Sequence, residues 1–220
     1  TKNKTMALLN ANYLGLYAFA DSGQTTAYRV TANDTLATAE TNFLSAASDG
    51  DYGLLVKSST DDIHERSNLP AIIKESSSTI ADATGDLKLL AAATSTTLDM
   101  SNTIDEIVAR STQCNSETYI IGGAQAWSLS ADGLVQDVID SSQSGATALM
   151  DIARASEYVL VRFVVDVTKK DTEGTQENYV NYIGQGIIEN VSITGGFDDT
   201  ATYSVSIRGY GKLYRYNNAS

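Results

Sequence analysis

Residues 201–208 read Ala-Thr-Tyr-Ser-Val-Ser-Ile-Arg, with Tyr203, Val205 and Ile207 alternating against Thr202, Ser204, Ser206 and Arg208. A period of two marks a strand that buries one face and wets the other. Upstream, residues 182–193 form a second extended run in which Ile183, Ile187, Val191 and Ile193 share one parity and Gly184 and Gly186 the other. Glycine within a strand bares the backbone for close approach. The connector Thr194-Gly195-Gly196-Phe197-Asp198-Asp199-Thr200 has the residue types that reverse a chain, so an antiparallel hairpin over 182–208 is predicted, closed by Gly209-Tyr210-Gly211.

Working upstream, residues 158–167 predict a strand with Val159, Val161, Phe163, Val165 and Val167 on one face and Arg162 and Asp166 on the other. Residues 146–157 predict a helix whose apolar groups are Leu149, Met150 and Ala153, capped by Ser144 or Thr147. In residues 118–130, Gln125, Trp127 and Leu129 oppose Ala124, Ala126 and Ser128, and Thr96, Leu98 and Met100 alternate in the same way. Nearer the start, residues 13–20, 27–31 and 53–57 read as strands. A helix from Asn33 or Asp34 to Ala47 would bring Leu36, Phe43, Leu44 and Ala47 near one face. Residues 58–78 turn polar and read as an exposed loop around Ala71-Ile72-Ile73.

Only 19% of residues are charged, Ser, Thr, Gly and Tyr are abundant and Pro occurs once, a composition of sheets and turns. The class is mainly β: a β-sandwich or half-barrel with one flanking helix and an N-terminal elaboration. A single domain over 1–220 is expected, with strands and a long insertion or elaboration in 1–85 and the core in 86–220. Fifteen cations against 27 acids give a net charge of −12, which argues against binding through phosphate contacts. Cys114 is the only cysteine, so neither an internal disulfide nor a multi-cysteine zinc site can form. Lys2, Lys4 and Ala18-Phe19-Ala20 evoke a signal peptide, but Asn10 and Asn12 interrupt its apolar run; no stretch reaches the ~20 apolar residues of a membrane span.

Catalysis finds little support. Asp61-Asp62-Ile63-His64-Glu65 offers one histidine among acids, without a second ligand or a partner that would fix a base, and reads as a solvated loop. Gly122-Gly123 and Gly184-x-Gly186 are followed by no Gly-Lys-Ser/Thr, so they do not form a phosphate loop. Trp127 and the twelve tyrosines fit either core and subunit contacts or a sugar-stacking platform. Trp127 has the parity of Leu129, which favours the core.

The sequence Tyr182-x-Gly184-x-Gly186, the Gly/Asp connector, residues 201–207 and Gly209-x-Gly211 together resemble the close of the major tail (tail tube) proteins of phages with long non-contractile tails. Trp127-Ser128-Leu129-Ser130-Ala131-Asp132-Gly133-Leu134-Val135 is similar to an internal signature of that family, and the resemblance covers about the C-terminal 130 residues. It implies a structural virion protein of the phage tail, assembled in the host cytoplasm, whose copies form stacked, hexameric rings through which DNA is ejected. No catalytic residue, metal or cofactor is implied. The expected partners are the chain itself, tape-measure, tail-terminator and distal tail proteins, and DNA in transit. Trp127, Leu129, Gly133, Leu134, Phe163, Tyr203, Gly209 and Gly211 are the fold signature; Ser204, Ser206 and Asp166 would face the lumen. Tyr210, Tyr214, Tyr216, Lys169 and Lys170 would meet neighbouring subunits, with loops 169–178 and 58–78 as stacking contacts. The alternative is a carbohydrate-binding or adhesive β-domain; a hydrolase using His64 is a weaker third.

Overall fold

A computed structural model describes residues 14–19, 28–90, 92–110, 116–135, 143–155, 158–166, 179–195 and 200–217. In chain order the elements are β1 (Leu14–Phe19), β2 (Tyr28–Ala32), α1 (Leu36–Ala46), β3 (Tyr52–Val56), β4 (Glu65–Arg66), β5 (Leu69–Pro70), β6 (Ile72–Ser76), β7 (Thr79–Asp82), β8 (Leu87–Leu90), β9 (Ala93–Arg110), β10 (Ser116–Leu134), β11 (Gln143–Ser144), α2 (Ala146–Ala155), β12 (Tyr158–Asp166), β13 (Tyr179–Thr194) and β14 (Thr202–Asn217). Eight strands form an open sheet in the order β11-β8-β1-β12-β13-β14-β10-β9. A smaller sheet has the order β2-β3-β6-β7.

Period-two patterning sets the register of the large sheet. Val191 pairs with Val205 and Ile193 with Tyr203, while Leu129 pairs with Ile207 and Ala131 with Val205. Directly opposed residues project to the same side, so one apolar face runs across β13, β14 and β10. Val159, Val161 and Phe163 of β12 continue it, and Leu149 and Ile152 of α2 join the same buried cluster. The helix therefore turns Leu149 and Ile152 inward, whereas Met150, expected on its apolar side, is 37% exposed. One residue along a helix is a rotation of about 100°, enough to move Met150 off the buried stripe.

Trp127 spans the middle of this face. A Cβ placed on Gly209 would lie 2.2 Å from Trp127 Cε2, and one on Gly184 would lie 2.6 Å from its Cζ2. The indole thus lies on bare backbone of β14 and β13, which accounts for the glycines in those strands. Its Nε1–H donates to the Gly211 carbonyl at 3.0 Å. Gly211 has φ +74°, a conformation open to glycine, and sits where β14 carries extra residues between partners Gln185↔Tyr210 and Ile183↔Tyr214.

Residues 28–82 hold more regular structure than their polarity suggests. β2, α1 and β3 form a parallel strand–helix–strand unit, and all five residues of β3 are buried because both its faces are covered. On one side Leu55 packs with Ala39, Phe43, Ala71 and Ile73; on the other Tyr52, Leu54, Val56 and Ile72 enter the main core. Residues 58–78 are consequently not an exposed loop. Two tight reversals, at Ser67-Asn68 (φ 49° and 64°) and Ser77-Ser78 (φ 51° and 67°), fold them into the β4–β5 and β6–β7 hairpins. Positive φ at both central residues is the hairpin-favouring turn usually written with Asn-Gly or Asp-Gly, and serine hides it.

The indole-on-glycine contact generates a measurable prediction. Gly209→Ala should destabilise the fold by roughly 1–3 kcal/mol through overpacking, and Trp127→Ala by roughly 3–5 kcal/mol through the cavity it leaves. In denaturant unfolding the double variant should lose less than the two changes summed, because the alanine methyl occupies space the ring has vacated.

Candidate functional site

The reverse of the apolar face is a wall of short polar side chains. Ser192, Ser204, Asp132 and Ser95 form one cross-strand row over β13, β14, β10 and β9. Asn190, Ser206, Ser130 and Thr97 form the next, followed by Ile187, Arg208, Ser128 and Asp99. The β9 and β10 members are exposed, while Ser204 and Ser206 are half-buried. Ile187, opposite Arg208 in the third row, is the one apolar member of these rows at 37% exposed, and the surface is otherwise polar and wet. Its formal charge is set by Asp99, Asp132 and Glu189 against Arg208, whose Nη1 lies 3.3 Å from Glu189 Oε1.

Beside the wall the sheet ends in an open edge. β9 bonds only to β10, and among the described residues nothing pairs with its outer side. Its 18 residues include neither Lys nor Pro, the usual blocks to edge pairing. Residues 101–110 and 116–122 pair with each other beyond the reach of β14, so β9 and β10 continue as a two-stranded ribbon. Met100 (50% exposed) and Ile104 (61%) lie along it.

The expected site residues divide into groups. Trp127, Leu129, Phe163 and Tyr203 are buried, with Tyr203 resting on Gly133, where a Cβ would lie 2.6 Å from the phenol ring. Leu134 is not core: after Leu129, Ala131 and Gly133 its parity turns it outward, and it is 40% exposed. Tyr210 is 57% exposed and its ring stands 4.9 Å from that of Tyr158. Tyr214 is half-buried. Tyr216, expected at a subunit contact, is buried in the chain's own core, opposite Asn181 in the register. The backbone of Asp166 ends β12, but its side chain, like Lys169, Lys170, Cys114 and the 169–178 loop, falls outside the described residues.

His64 is not solvated. It is 5% exposed, and its Nε2–H donates to the Asn33 carbonyl at 2.7 Å. Its backbone bridges β3 to Ala71. The ring serves as a structural donor, and among the described residues no group of three or more His, Cys, Asp or Glu could hold a metal. The neighbouring acids tie the small sheet to β14: Asp61 pairs with Lys212 at 2.8 Å, and the Ile63 N–H donates to the Arg215 carbonyl at 3.3 Å. Also among the described residues, no helix is long and apolar enough to cross a membrane.

Sequence reasoning placed Ser204 and Ser206 but missed the acids that share their wall. Strand alternation alone would have found Asp132, two positions from Ser130; Asp99 needs the β9–β10 register as well.

A family model described as phage tail tube protein matches residues 78–215. No curated protein matches the chain by sequence. Among solved structures, a chain of the native gene transfer agent virion is 15% identical, with 59% of this chain and 88% of that one covered and a TM-score of 0.45. The SPP1 tail tube is 16% identical over 64% and 74%, with a TM-score of 0.44. A chain of the anti-feeding prophage baseplate is 9% identical over 59% and 83%, with a TM-score of 0.42.

The Tyr203 phenol supplies a pH test. Burial, reinforced by the negative charge of Asp132, pushes its pKa from 10.0 up to about 12. The folded state holds the neutral phenol more tightly than the unfolded state does, so this stabilisation is complete below pH 10 and is lost as pH rises toward 12. Thermal melts across that interval should show a shallower alkaline decline for Tyr203→Phe than for wild type. Burial also raises Tyr28, so part of the decline should remain.

Proposed function

The chain belongs to the phage tail tube protein family, and from that premise we propose that it is a structural virion subunit whose copies pair edge to edge into rings that stack as a conduit for DNA. One observation carries this: an unblocked 18-residue edge strand borders a wall lined mainly by serine and threonine. Pairing β9 with residues 188–194 of β13 in the next copy, which extend past β12 and bond only to β14 among the described residues, would satisfy backbone groups that are otherwise left to water. Each bond adds about 0.5–1.5 kcal/mol net, and repetition around a closed ring makes assembly cooperative.

The dimensions agree with a conduit. Six copies contributing β13, β14, β10 and β9 would give a barrel whose circumference, at ~4.8 Å per strand and a tilt near 40°, is about 150 Å. A bore of that scale passes a nucleic-acid duplex with its hydration layer. Serine and threonine leave the bore without grips, and its excess of acids repels phosphates over about 8 Å at physiological salt. The role requires neither catalysis nor a cofactor. Tape-measure, tail-terminator and distal tail proteins are the expected partners, with assembly in the host cytoplasm.

A second reading, sugar binding, has one observation in its favour: a cleft of about 130 Å³ lined by Tyr28, Gln185, Tyr210 and Tyr214. The two readings separate under the electron microscope. Concentrated protein should form filaments with an axial channel, whereas dispersed monomers that bind glycans would favour the alternative.

Edge pairing is tested with Thr96→Pro and Thr97→Pro. Alternate N–H groups of an edge strand point to the neighbour or outward, and proline removes the donor. One variant should lose a bond to β10 and at least about 1 kcal/mol of stability. The other should melt like wild type yet fail to form filaments; channelled filaments from both variants would exclude edge pairing.

A further inference from the structure

Arg208 is the one cation on the hydroxyl wall among the described residues, and such a group would ordinarily hold a phosphate. Two acids prevent it from standing alone. Glu189 on β13 places Oε1 3.3 Å from Arg208 Nη1. Asp99 on β9 stands two strands away in the same row, through Ser128. The register of β13 slips between Ile188 and Asn190, so two successive polar residues, Glu189 and Asn190, serve the wall side where strict alternation would allow one. Between these groups lies an open cavity of about 260 Å³ lined by Asp99, Ser101, Ser128, Glu189 and Arg208. At ~30 Å³ per water molecule it has room for a hydrated phosphate group.

We propose that Glu189 and Asp99 mask Arg208, so that the wall's single cation cannot retain the phosphates of passing DNA. This rests on the conduit reading and deepens it: the acids set the selectivity of the bore, and the bulge in β13 is the device that seats one of them. Two carboxylates beside one guanidinium leave a local excess of negative charge, and a phosphate arriving at the cavity meets that excess before it meets Arg208. Removing the acids while keeping the arginine should convert a site that DNA slides past into one where it sticks. In a stacked tube the site recurs in every subunit, so a weak individual contact would become a strong collective one.

The test assembles full-length protein with labelled short duplex DNA, pellets the tubes and measures the DNA retained. Wild type should retain background amounts. Asp99→Asn/Glu189→Gln should retain at least about fivefold more at low salt, falling steeply as salt rises. Adding Arg208→Gln to that variant should restore background retention, which a general change in net charge would not do. Asp151→Asn/Glu65→Gln, with the same charge change off the wall, should behave as wild type. Tubes of the double variant as free of DNA as wild type, or retention that survives Arg208→Gln, would overturn the masking. Should wild type form no tubes, the conduit reading fails instead. Binding of inorganic polyphosphate to dispersed subunits then decides the masking: gain in the double variant and loss in the triple supports it, and equal binding by all three overturns it.

Discussion

A single indole laid across bare backbone sets the geometry of this subunit. Trp127 reaches from β10 over β14 to β13 because Gly209 and Gly184 present no Cβ, and its N–H is anchored on a carbonyl turned toward it by left-handed Gly211. Three strands are thereby held in one register without a disulfide. Because register fixes which parity faces inward, the same contact decides that Ser204, Ser206, Ser130 and Asp132 face away from the core. The polar wall is the reverse side of a packing solution.

The long β13–β14 hairpin serves two purposes along its length. Its base, where Tyr214 and Tyr216 oppose Ile183 and Asn181, is covered and enters the main core. Asp61, Ile63 and their partners on β14 fasten the small sheet there. Its far part, residues 190–194 and 202–208, continues the sheet toward β10 and β9 and leaves its polar side open. The change occurs at Gly209-Tyr210-Gly211, where extra residues interrupt the ladder. The N-terminal elaboration limits the wet surface to the part of the sheet that borders the open edge.

Legibility in the sequence followed the range of the interactions. Alternation is local, so the parities of Tyr203, Val205 and Ile207, of Val159, Val161 and Phe163, and of the serines between them could be read from single strands. Tyr216 could not, because it is buried by a docking event between distant segments. His64 looked solvated among acids since its acceptor, the Asn33 carbonyl, is 31 residues away. The hairpins within 58–78 were hidden because Ser67, Asn68, Ser77 and Ser78 adopt positive φ without glycine to announce it. The wall's charge pattern needed cross-strand register, which no single strand contains.

The position of the lone tryptophan also gives the chain an internal optical gauge. Its fluorophore is 3% exposed, within the core on the apolar side of the sheet. Fluorescence should accordingly redden when β10 separates from β14, yet stay constant when intact subunits join or part. Loss of the monomer's architecture and disassembly of a polymer, often confounded in light scattering, would thus carry different colours.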